Sequence, residues 1–416
     1  MPEKSAPPRR SPTGATTSVA LRVLELLASG QAESRTELAD LTGAAPSTIS
    51  LTVGQLVAHG LVAEQGTRSS TGGRPRKVLR LGGTDGYVAA ADLGGHHARV
   101  GAVLPGGGLT DVATVPLLID DGPEAALPRL AETLEELADR RGRALLKGVG
   151  FSLPGPVDIT AGTVTLPSRM PGWHRFPVRD WLQERFGVPA AVDNDANCMA
   201  VGEHAAQPAA RRQSITVKIG TGIGTGIITD GRLHRGATNA AGEITHVRIE
   251  AADDRPCSCG NTGCLETVAS GAALVRILRE QGVEVDSVED VARLASDGDP
   301  QTTLAVRQAG RHLGTVLAAN VNFFNPDAVY LGGILSTLEP LVAAVRSRLY
   351  EACHPLVTEH LVIERVSLGA DANLVGAGRF ALQSALTHAL EAVAPSTTGS
   401  AHPRPAPHRG GGDAAG

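Results

Sequence analysis

From Tyr87 onward, strand-like apolar runs alternate with longer helical stretches and glycine-rich turns. Helices that alternate with strands in this way cover a mostly parallel sheet, so the order predicts an α/β domain. Two glycine-rich strand-turn segments, at 88–108 and 215–233, share one pattern. The repetition predicts that this domain has two related lobes.

The length of 416 residues fits two or three domains rather than one compact core. We expect a small helical domain at 17–82, the α/β domain at 87–390, and disordered segments at 1–16 and 394–416, which are rich in Pro, Ser and Gly. No run approaches the roughly 18 to 20 uncharged apolar residues that cross a bilayer, and the start lacks a secretory signal. The sequence therefore predicts a cytoplasmic protein with no membrane partner.

Three short helices are predicted before the α/β domain. The first runs through Val19 and Leu27, a Ser34-x-x-Glu37 capping box opens the second, and Pro46 begins the third. In the third helix the apolar side chains are expected to face inward and the hydroxyl side chains to face outward. The inward set is Ile49, Val53, Leu56 and Val57, and the outward set is Ser47, Thr48, Ser50 and Thr52.

A strand, a polar loop and a second strand follow at 60–81, which is the pattern of a β-wing. The net charge of −5 gives no basic field over the whole chain, so any contact with DNA needs a local patch. The wing supplies one, because residues 66–80 contain no acidic side chain and five basic ones: Arg68, Arg74, Arg76, Lys77 and Arg80.

Helix order and wing charge together predict a winged helix-turn-helix that binds operator DNA. The predicted contacts are Ser47, Thr48 and Ser50 on the third helix and Arg74, Arg76 and Lys77 on the wing. The alternative is a small protein-interaction module with a solvated basic loop. We favour DNA binding because the order of elements, their spacing and the charge agree.

Three cysteines are crowded as Cys-x-Cys-x4-Cys at Cys257, Cys259 and Cys264, with His246 upstream. A set of three thiolates and one imidazole is the ligand count of a closed structural zinc site. The alternative, free buried thiols, requires this spacing to be accidental. Cys198 and Cys353 are expected to be small buried residues.

Chemistry-bearing residues also stand at the ends of predicted strands. Asn194 and Asp195 lie where a strand meets a helix, a usual place for a functional carboxylate in an open α/β sheet. Asp92 precedes Gly94 and Gly95 at the first glycine turn. Glycine lets backbone N–H groups approach phosphate oxygens, although a hairpin turn with positive φ would also use it.

The segments GTGIGTGIITDGRLHRGATNAAGE and CSCGNTGCLE resemble the signature and the zinc motif of ROK (repressor, ORF, kinase) proteins, and GGRP in the wing is similar to that of ROK regulators. The resemblance extends from about Ala20 to Ser384. It implies a winged helix-turn-helix followed by a duplicated, two-lobed, actin-like (ribonuclease H-like) sugar-kinase domain, an α/β fold.

The resemblance also implies roles for individual residues. Asp195 resembles the catalytic base of the kinases, and His246 resembles a residue that binds both sugar and zinc. The implied sugar ligands are Asn194, Asp195, Glu243, His246 and Glu266. The implied nucleotide and phosphate positions are Asp92, Gly94, Gly95, Thr221, Gly222, Gly332 and Gly333.

Several positions depart from the family pattern. His96 stands where the kinases usually carry Thr, Thr245 where Gly is common, Arg169 where Asn is often found, and Leu51 where recognition helices often have a basic residue.

Two hypotheses follow: a repressor of carbohydrate-related genes that senses a sugar or sugar phosphate, or an ATP- and Mg²⁺-dependent, glucokinase-like sugar kinase. The fused DNA reader and His96 favour the repressor, whereas Asp195 and the second glycine loop favour the kinase. A two-fold oligomer, a homodimer or homotetramer, is expected for a reader of paired half-sites.

Overall fold

The computed structural model describes residues 12–68, 76–82, 86–165, 167 and 170–393. The helices are α1 (Pro12–Ala28), α2 (Arg35–Thr42), α3 (Pro46–Ala58), α4 (Pro123–Arg141), α5 (Val178–Phe186), α6 (Asp195–Ala206), α7 (Glu266–Ala269), α8 (Gly271–Glu280), α9 (Val288–Ser296), α10 (Pro300–Phe324), α11 (Glu339–Ala352), α12 (Pro355–Thr358) and α13 (Ala372–Val393). The strands are β1 (Val62–Arg68), β2 (Arg76–Leu81), β3 (Tyr87–Leu93), β4 (His97–Val103), β5 (Leu109–Pro116), β6 (Leu146–Leu153), β7 (Val157–Asp158), β8 (Thr163–Val164), β9 (Ala190–Asn194), β10 (Ser214–Ile219), β11 (Ile223–Thr229), β12 (Arg232–His234), β13 (Ala328–Gly332) and β14 (Val362–Arg365).

Helices α1 to α3 and the antiparallel strands β1 and β2 form the winged helix. The predicted capping box is present only in part: Ser34 Oγ accepts a hydrogen bond from Glu37 N–H, whereas Glu37 Oε2 accepts one from Glu33 N–H, one residue before the N-cap whose N–H a full capping box would use. Gly43 ends α2 with a φ of 68°, a conformation that costs glycine little. The wing tip at 69–75, including Arg74, lies outside the described residues.

Two details of this domain differ from the sequence-based expectation. Helix α1 begins at Pro12, inside the segment predicted to be disordered at 1–16, because its packed later turns extend toward a proline that the first turn of a helix tolerates. Thr52 is buried rather than outward-facing. It lies three residues after Ile49 and four before Leu56, which places it on the buried face of α3.

The α/β domain contains two five-stranded sheets with the same topology. Their orders are β5-β4-β3-β6-β9 in the N-lobe and β12-β11-β10-β13-β14 in the C-lobe. In each sheet, the three strands that come first in the sequence pair antiparallel with their neighbours. The two strands that follow them in the sequence join the sheet by parallel pairing. The predicted duplication is therefore confirmed.

Helices α6 and α13 pack on the inner face of the N-lobe sheet, and α6 also packs on the C-lobe sheet. The two helices approach so closely that a Cβ atom at Gly376 would lie 1.8 Å from Cys198 O, and one at Gly202 would lie 2.0 Å from Ala372 O. Helix α4 covers the outer face of the N-lobe sheet, and α8 to α11 cover that of the C-lobe sheet.

The last turns of α13 leave the lobes and pack on the winged helix. Leu390 is buried in the winged-helix core, and Leu382 and Leu386 lie against it. Gln383 Nε2 donates a hydrogen bond of 2.7 Å to Glu25 Oε1 of α1. Within the described ranges, no helix has the length and apolar character to traverse a bilayer.

Candidate functional site

The junction of the two lobes, called the cleft below, is built around the start of α6. Strand β9 ends at Asn194 and α6 begins at Asp195. Asn194 caps the helix, because its Oδ1 accepts hydrogen bonds from Ala196 N–H and Asn197 N–H while its Nδ2 donates to Gly155 O. A primary amide has two N–H donors, so this cap leaves one for a ligand.

Charged side chains from both lobes meet at this point. Lys218 of β10 forms an ion pair with Asp195 Oδ2, and the two side chains are 26% and 11% exposed. Asp92 of β3 accepts hydrogen bonds at Oδ1 from Ser152 Oγ (2.6 Å) and Asn373 Nδ2 (3.0 Å). Asn373 Nδ2 also lies 3.2 Å from Asp195 O. The sheets and both central helices therefore share one polar cluster.

Burial shifts the titration of this cluster. It raises the pKa of Asp92 above its ordinary value, and the nearby Lys218 ammonium only partly offsets this. Burial alone would lower the pKa of Lys218. The facing carboxylates of Asp195 and Asp92 outweigh burial and hold that pKa above its ordinary value, so the ammonium stays charged at neutral pH.

Close packing explains the glycines of β11 but not Gly95 of the first loop, where a Cβ atom would meet nothing within 4 Å. Gly94 and Gly95 do not have positive φ angles, so the alternative of a turn that needs this conformation is wrong there. In β11, a Cβ atom at Gly224 would lie 2.8 Å from Ala196 Cβ, and one at Gly226 would lie 2.6 Å from Ala196 O. These glycines let the C-lobe sheet approach α6.

The predicted nucleotide-proximal turn is also tightly packed. A Cβ atom at Gly332 would lie 2.3 Å from Met199 Sδ. Gly333 has a φ of 81°, and a Cβ atom there would lie 2.5 Å from Ile219 O. Both glycines thus have a structural reason that requires no bound phosphate. At the other loop, Thr221 is exposed and Gly222 is half-buried.

The four predicted metal ligands lie together. The ligand atoms of His246, Cys257, Cys259 and Cys264 are all within 4.8 Å of one another. Cys257 Sγ lies 3.6 Å from His246 Nδ1, and Cys259 Sγ lies 3.7 Å from Cys264 Sγ. This arrangement can hold a metal ion with four protein donors.

Neighbouring groups set the acidity of these thiols. Burial and the two adjacent cysteines raise the pKa of Cys264 to about 12. Burial acts in the same direction on Cys259. Hydrogen bonds from Asn261 and the other two cysteines outweigh it and hold the pKa of Cys259 below its ordinary value.

The two ring nitrogens of His246 lie near different groups. Its Nδ1 is directed toward the thiols, whereas its Nε2 lies 3.8 Å from Glu243 Oε2. Glu266, at the start of α7, accepts a hydrogen bond at Oε2 from Ile223 N–H (3.2 Å). The glycine loop before β11 and the metal cluster are thus connected through short segments of the C-lobe.

On the winged helix, Ser47, Thr48 and Ser50 are exposed at the start of α3, as predicted. Leu51 beside them is 65% exposed. The predicted basic patch is partly neutralised, because Lys77 and Arg35 both pair with Glu64 of β1. Arg80 pairs with Glu33 in the same way. Arg76 is the first residue of β2.

The departures from the family pattern lie at different depths. His96 is exposed in the turn between β3 and β4, and Thr245 is buried beside His246. Arg169 lies outside the described residues.

Sequence reasoning missed three members of the cleft: Lys218, Ser152 and Asn373. A signal for Lys218 was available, since the chain has only four lysines and this one interrupts the apolar strand Ser-Ile-Thr-Val-Lys-Ile. Ser152 and Asn373 gave no comparable signal, because neither stands in an unusual local pattern.

Comparisons with known proteins agree with this architecture. A model of the ROK family matches residues 88–384, and a model of the IclR helix-turn-helix domain matches residues 16–66. The xylose repressor of Bacillus spizizenii is 31% identical over 353 residues, which are 82% of this chain and 89% of the repressor.

Two solved structures share the fold. A ROK family transcriptional regulator, a homologue of the Escherichia coli MLC protein, superposes with a TM-score of 0.73 at 25% identity and covers 90% of this chain and 98% of its own. A ROK family glucokinase from Streptomyces griseus, solved with glucose and AMPPNP, has a TM-score of 0.61 at 28% identity. That match covers 72% of this chain and all (100%) of the glucokinase.

Proposed function

The chain belongs to the ROK family, and from this we propose that it is a transcriptional repressor of carbohydrate-related genes that releases its operator in response to a sugar. The fused winged helix and the xylose repressor that covers most of the chain support this function. The alternative, a glucokinase-like kinase that uses Asp195 as catalytic base, has less support because the comparison glucokinase matches only 72% of the chain.

One observation carries the proposal: α13 joins the cleft to the DNA-binding domain. Asn373 near its start donates to Asp92, and Leu390 near its end is buried in the winged-helix core. A helix of 22 residues is about 33 Å long. A ligand that changes the relation of the lobes therefore has a rigid element through which to move the winged helix.

For the sugar we propose the side chains of Asn194, Asp195, Glu243, His246 and Glu266. The support is chemical: carboxylates accept hydroxyl hydrogens, and the free N–H of Asn194 and Nε2 of His246 can bond to hydroxyl oxygens. An imidazole with Nδ1 toward the thiols leaves Nε2 for a ligand. Residues tied into a helix cap and a metal cluster are held in place before the sugar arrives.

For the metal we propose one structural zinc ion held by His246, Cys257, Cys259 and Cys264. With Zn–S bonds of about 2.3 Å, a tetrahedral site has S···S edges of about 3.8 Å. The separation of 3.7 Å between Cys259 Sγ and Cys264 Sγ fits this value. The other ring nitrogen of His246 lies 3.8 Å from Glu243 Oε2, beyond hydrogen-bond distance, and stays available to the sugar.

For DNA we propose that the protein binds a two-fold operator as a homodimer or homotetramer. Helix α3 of each bound subunit would enter the major groove of one half-site. Ser47, Thr48 and Ser50 would contact phosphates and base edges, and exposed Leu51 would contact thymine methyl groups. Arg74, Arg76 and Lys77 would contact the DNA from the wing.

The testing experiment is a mobility-shift assay on DNA upstream of the gene for this chain and its neighbours, with a panel of sugars and sugar phosphates. We expect a specific complex that one sugar dissociates. Asp195→Asn should still bind the DNA but need about tenfold more sugar, the cost of one hydrogen bond to a charged group. Failure to bind any of these DNA fragments specifically would contradict the repressor function.

The wing is tested with Arg74→Ala. Loss of an arginine that reads a groove costs about 1–3 kcal/mol of operator binding. An exposed arginine far from the wing, Arg307→Ala on α10, is the control and should leave binding unchanged. Equal binding by Arg74→Ala and the unaltered protein would remove Arg74 from the contact surface.

A further inference from the structure

Asp92 and Lys218 hold equivalent positions in the two lobes, where one lobe supplies an acidic residue and the other a basic residue. Strands β3 and β10 are central in sheets of the same order. Asp92 is the second-last residue of β3, and Lys218 is the second-last residue of β10. The duplication therefore places a carboxyl group from one lobe and an ammonium group from the other beside the start of α6.

The partners of Lys218 are the groups that a divalent cation would need. Sites of phosphoryl transfer hold Mg²⁺ through one or two carboxylates together with substrate phosphates, in octahedral oxygen geometry. Here the Lys218 ammonium already binds Asp195 Oδ2. Asp92 lies close enough to attract the ammonium as well, and its Oδ1 is engaged by Ser152 and Asn373.

A second cation would be repelled at this place. Two like charges a few ångströms apart repel each other much more strongly at a partly buried site than in bulk water. The ammonium is held on a strand between β11 and β13, opposite Gly224 and Gly332, so its backbone is fixed on both sides. The residues present thus do not fit a Mg²⁺ ion.

We propose that Lys218 is a built-in counter-ion that replaces the divalent cation, so that the cleft binds its sugar without metal or nucleotide. This proposal rests on the sugar cleft assigned above and adds to it the exclusion of the phosphoryl donor. Asp195 then acts as a fixed hydrogen-bond acceptor for a sugar hydroxyl. The Lys218 ammonium also ties the C-lobe to the start of α6 when the cleft contains no sugar.

The test measures divalent-cation binding by the full-length, zinc-loaded protein, with Mn²⁺ as the probe and electron paramagnetic resonance as the readout. We expect no cleft-bound Mn²⁺ in the unaltered protein at millimolar concentration. Lys218→Met, which keeps the length of the side chain without its charge, should gain one Mn²⁺ per chain. The affinity for Mn²⁺ should rise by about tenfold or more. Removing one repelling unit charge at close range changes the binding free energy by more than a tenfold change in affinity requires.

Two further variants assign the new ion to the cleft. Adding Asp195→Asn to Lys218→Met should abolish the gained Mn²⁺, because one of its two carboxylates is lost. Lys218→Arg keeps a cation and should bind no Mn²⁺. Calorimetry with Mg-AMPPNP should give the same result for these proteins: binding by Lys218→Met, and none by the unaltered protein, Lys218→Arg or the double variant.

Cleft binding of Mn²⁺ or Mg-AMPPNP by the unaltered protein, removed by Asp195→Asn, would overturn the proposal. A folded Lys218→Met that gains no Mn²⁺ would also overturn it. Thermal unfolding checks folding, and Lys218→Gln, whose amide can donate to Asp195, replaces the methionine variant if that variant is unfolded. Should neither variant fold, the measurement on the unaltered protein decides.

Sugar and operator binding are measured on the same preparation. Loss of those activities contradicts the repressor function and leaves the metal result standing. Metal binding by the unaltered protein contradicts the role of Lys218 and leaves the repressor function standing. The two failures are therefore distinguishable.

Discussion

Helices α6 and α13 end the two lobes, begin at the same cleft and finish in different surroundings. Each follows the last strand of its sheet, β9 or β14. Helix α6 has 12 residues and stays between the lobes, whereas α13 has 22 and reaches the winged helix. The duplicated sheets supply a common frame, and the extra length of one helix connects that frame to DNA binding.

The largest expected effect comes from breaking the contact between the two helices. In Gly376→Ala the new Cβ atom would lie 1.8 Å from Cys198 O of α6, a clash between backbones that no rotamer relieves. Overpacking costs about 1–3 kcal/mol and occasionally more, and we expect at least about 3 kcal/mol here. Chemical unfolding, followed by circular dichroism, measures the loss.

Gly95→Ala is the matched control, because a Cβ atom there meets nothing within 4 Å. It should change the free energy of unfolding by less than about 0.5 kcal/mol. If Gly376→Ala is as stable as Gly95→Ala, the close crossing of α6 and α13 is wrong.

The second-largest effect tests the metal cluster. Among the described residues, this cluster lies in the C-lobe and has no counterpart in the N-lobe. Cys264→Ser should lose the zinc, loosen the segment that carries His246 and raise the sugar concentration needed for release by about 10- to 100-fold. Elemental analysis and the mobility-shift assay measure the two results. Cys353→Ser is the control: this buried thiol donates to Ala318 O, outside the cluster, and its loss should leave the zinc bound. Zinc retained by Cys264→Ser would contradict the proposed ligand set.

Much of this frame could be predicted from local patterns. The Ser34 N-cap of α2, the wing strands and the two lobes each depend on short segments whose periodicity and turn residues act locally. The ligands of the metal cluster were also accessible, because Cys257, Cys259 and Cys264 lie close in the sequence. Sequence spacing therefore sufficed wherever neighbours in the chain are neighbours in space.

The contacts between lobes could not be predicted in this way. The pair Lys218–Asp195 and the bond from Asn373 to Asp92 join segments that lie 23 and 281 residues apart. Which side chains meet there depends on how α6 and α13 cross, and that crossing follows from glycines whose role is visible only once both helices are placed.

The third effect tests the additional turns of α13. Leu390→Ala removes an apolar side chain from the winged-helix core, at a cost of about 2 kcal/mol. Sugar affinity, measured by calorimetry, should stay unchanged, while the effect of sugar on operator affinity, measured by fluorescence anisotropy, should fall by about tenfold. His388→Ala, an exposed change two residues earlier, should alter neither. If sugar changes the operator affinity of Leu390→Ala as much as that of the unaltered protein, α13 does not connect the cleft to the winged helix.

The smallest effect lies farthest from the crossing, in the wing of the domain that α13 supports. Lys77 and Arg35 hold the pKa of Glu64 below its ordinary value, so this carboxylate stays ionised at neutral pH and loses its pairing only as the pH falls through the lowered pKa. Glu64→Gln should therefore free two cations for DNA phosphates at pH 7. We expect operator affinity to rise by less than about tenfold, since surface ion pairs contribute about 0–1 kcal/mol.

The salt dependence distinguishes this effect from a general change of charge. Each additional phosphate contact steepens the slope of log K against log salt concentration by about 0.9, so Glu64→Gln should show a slope steeper by about one to two units. Glu132→Gln, an exposed residue of α4, changes the net charge equally and should leave the slope unaltered. Equal slopes for the two variants would mean that the wing of this chain does not approach the phosphates and that α3 binds the operator without it.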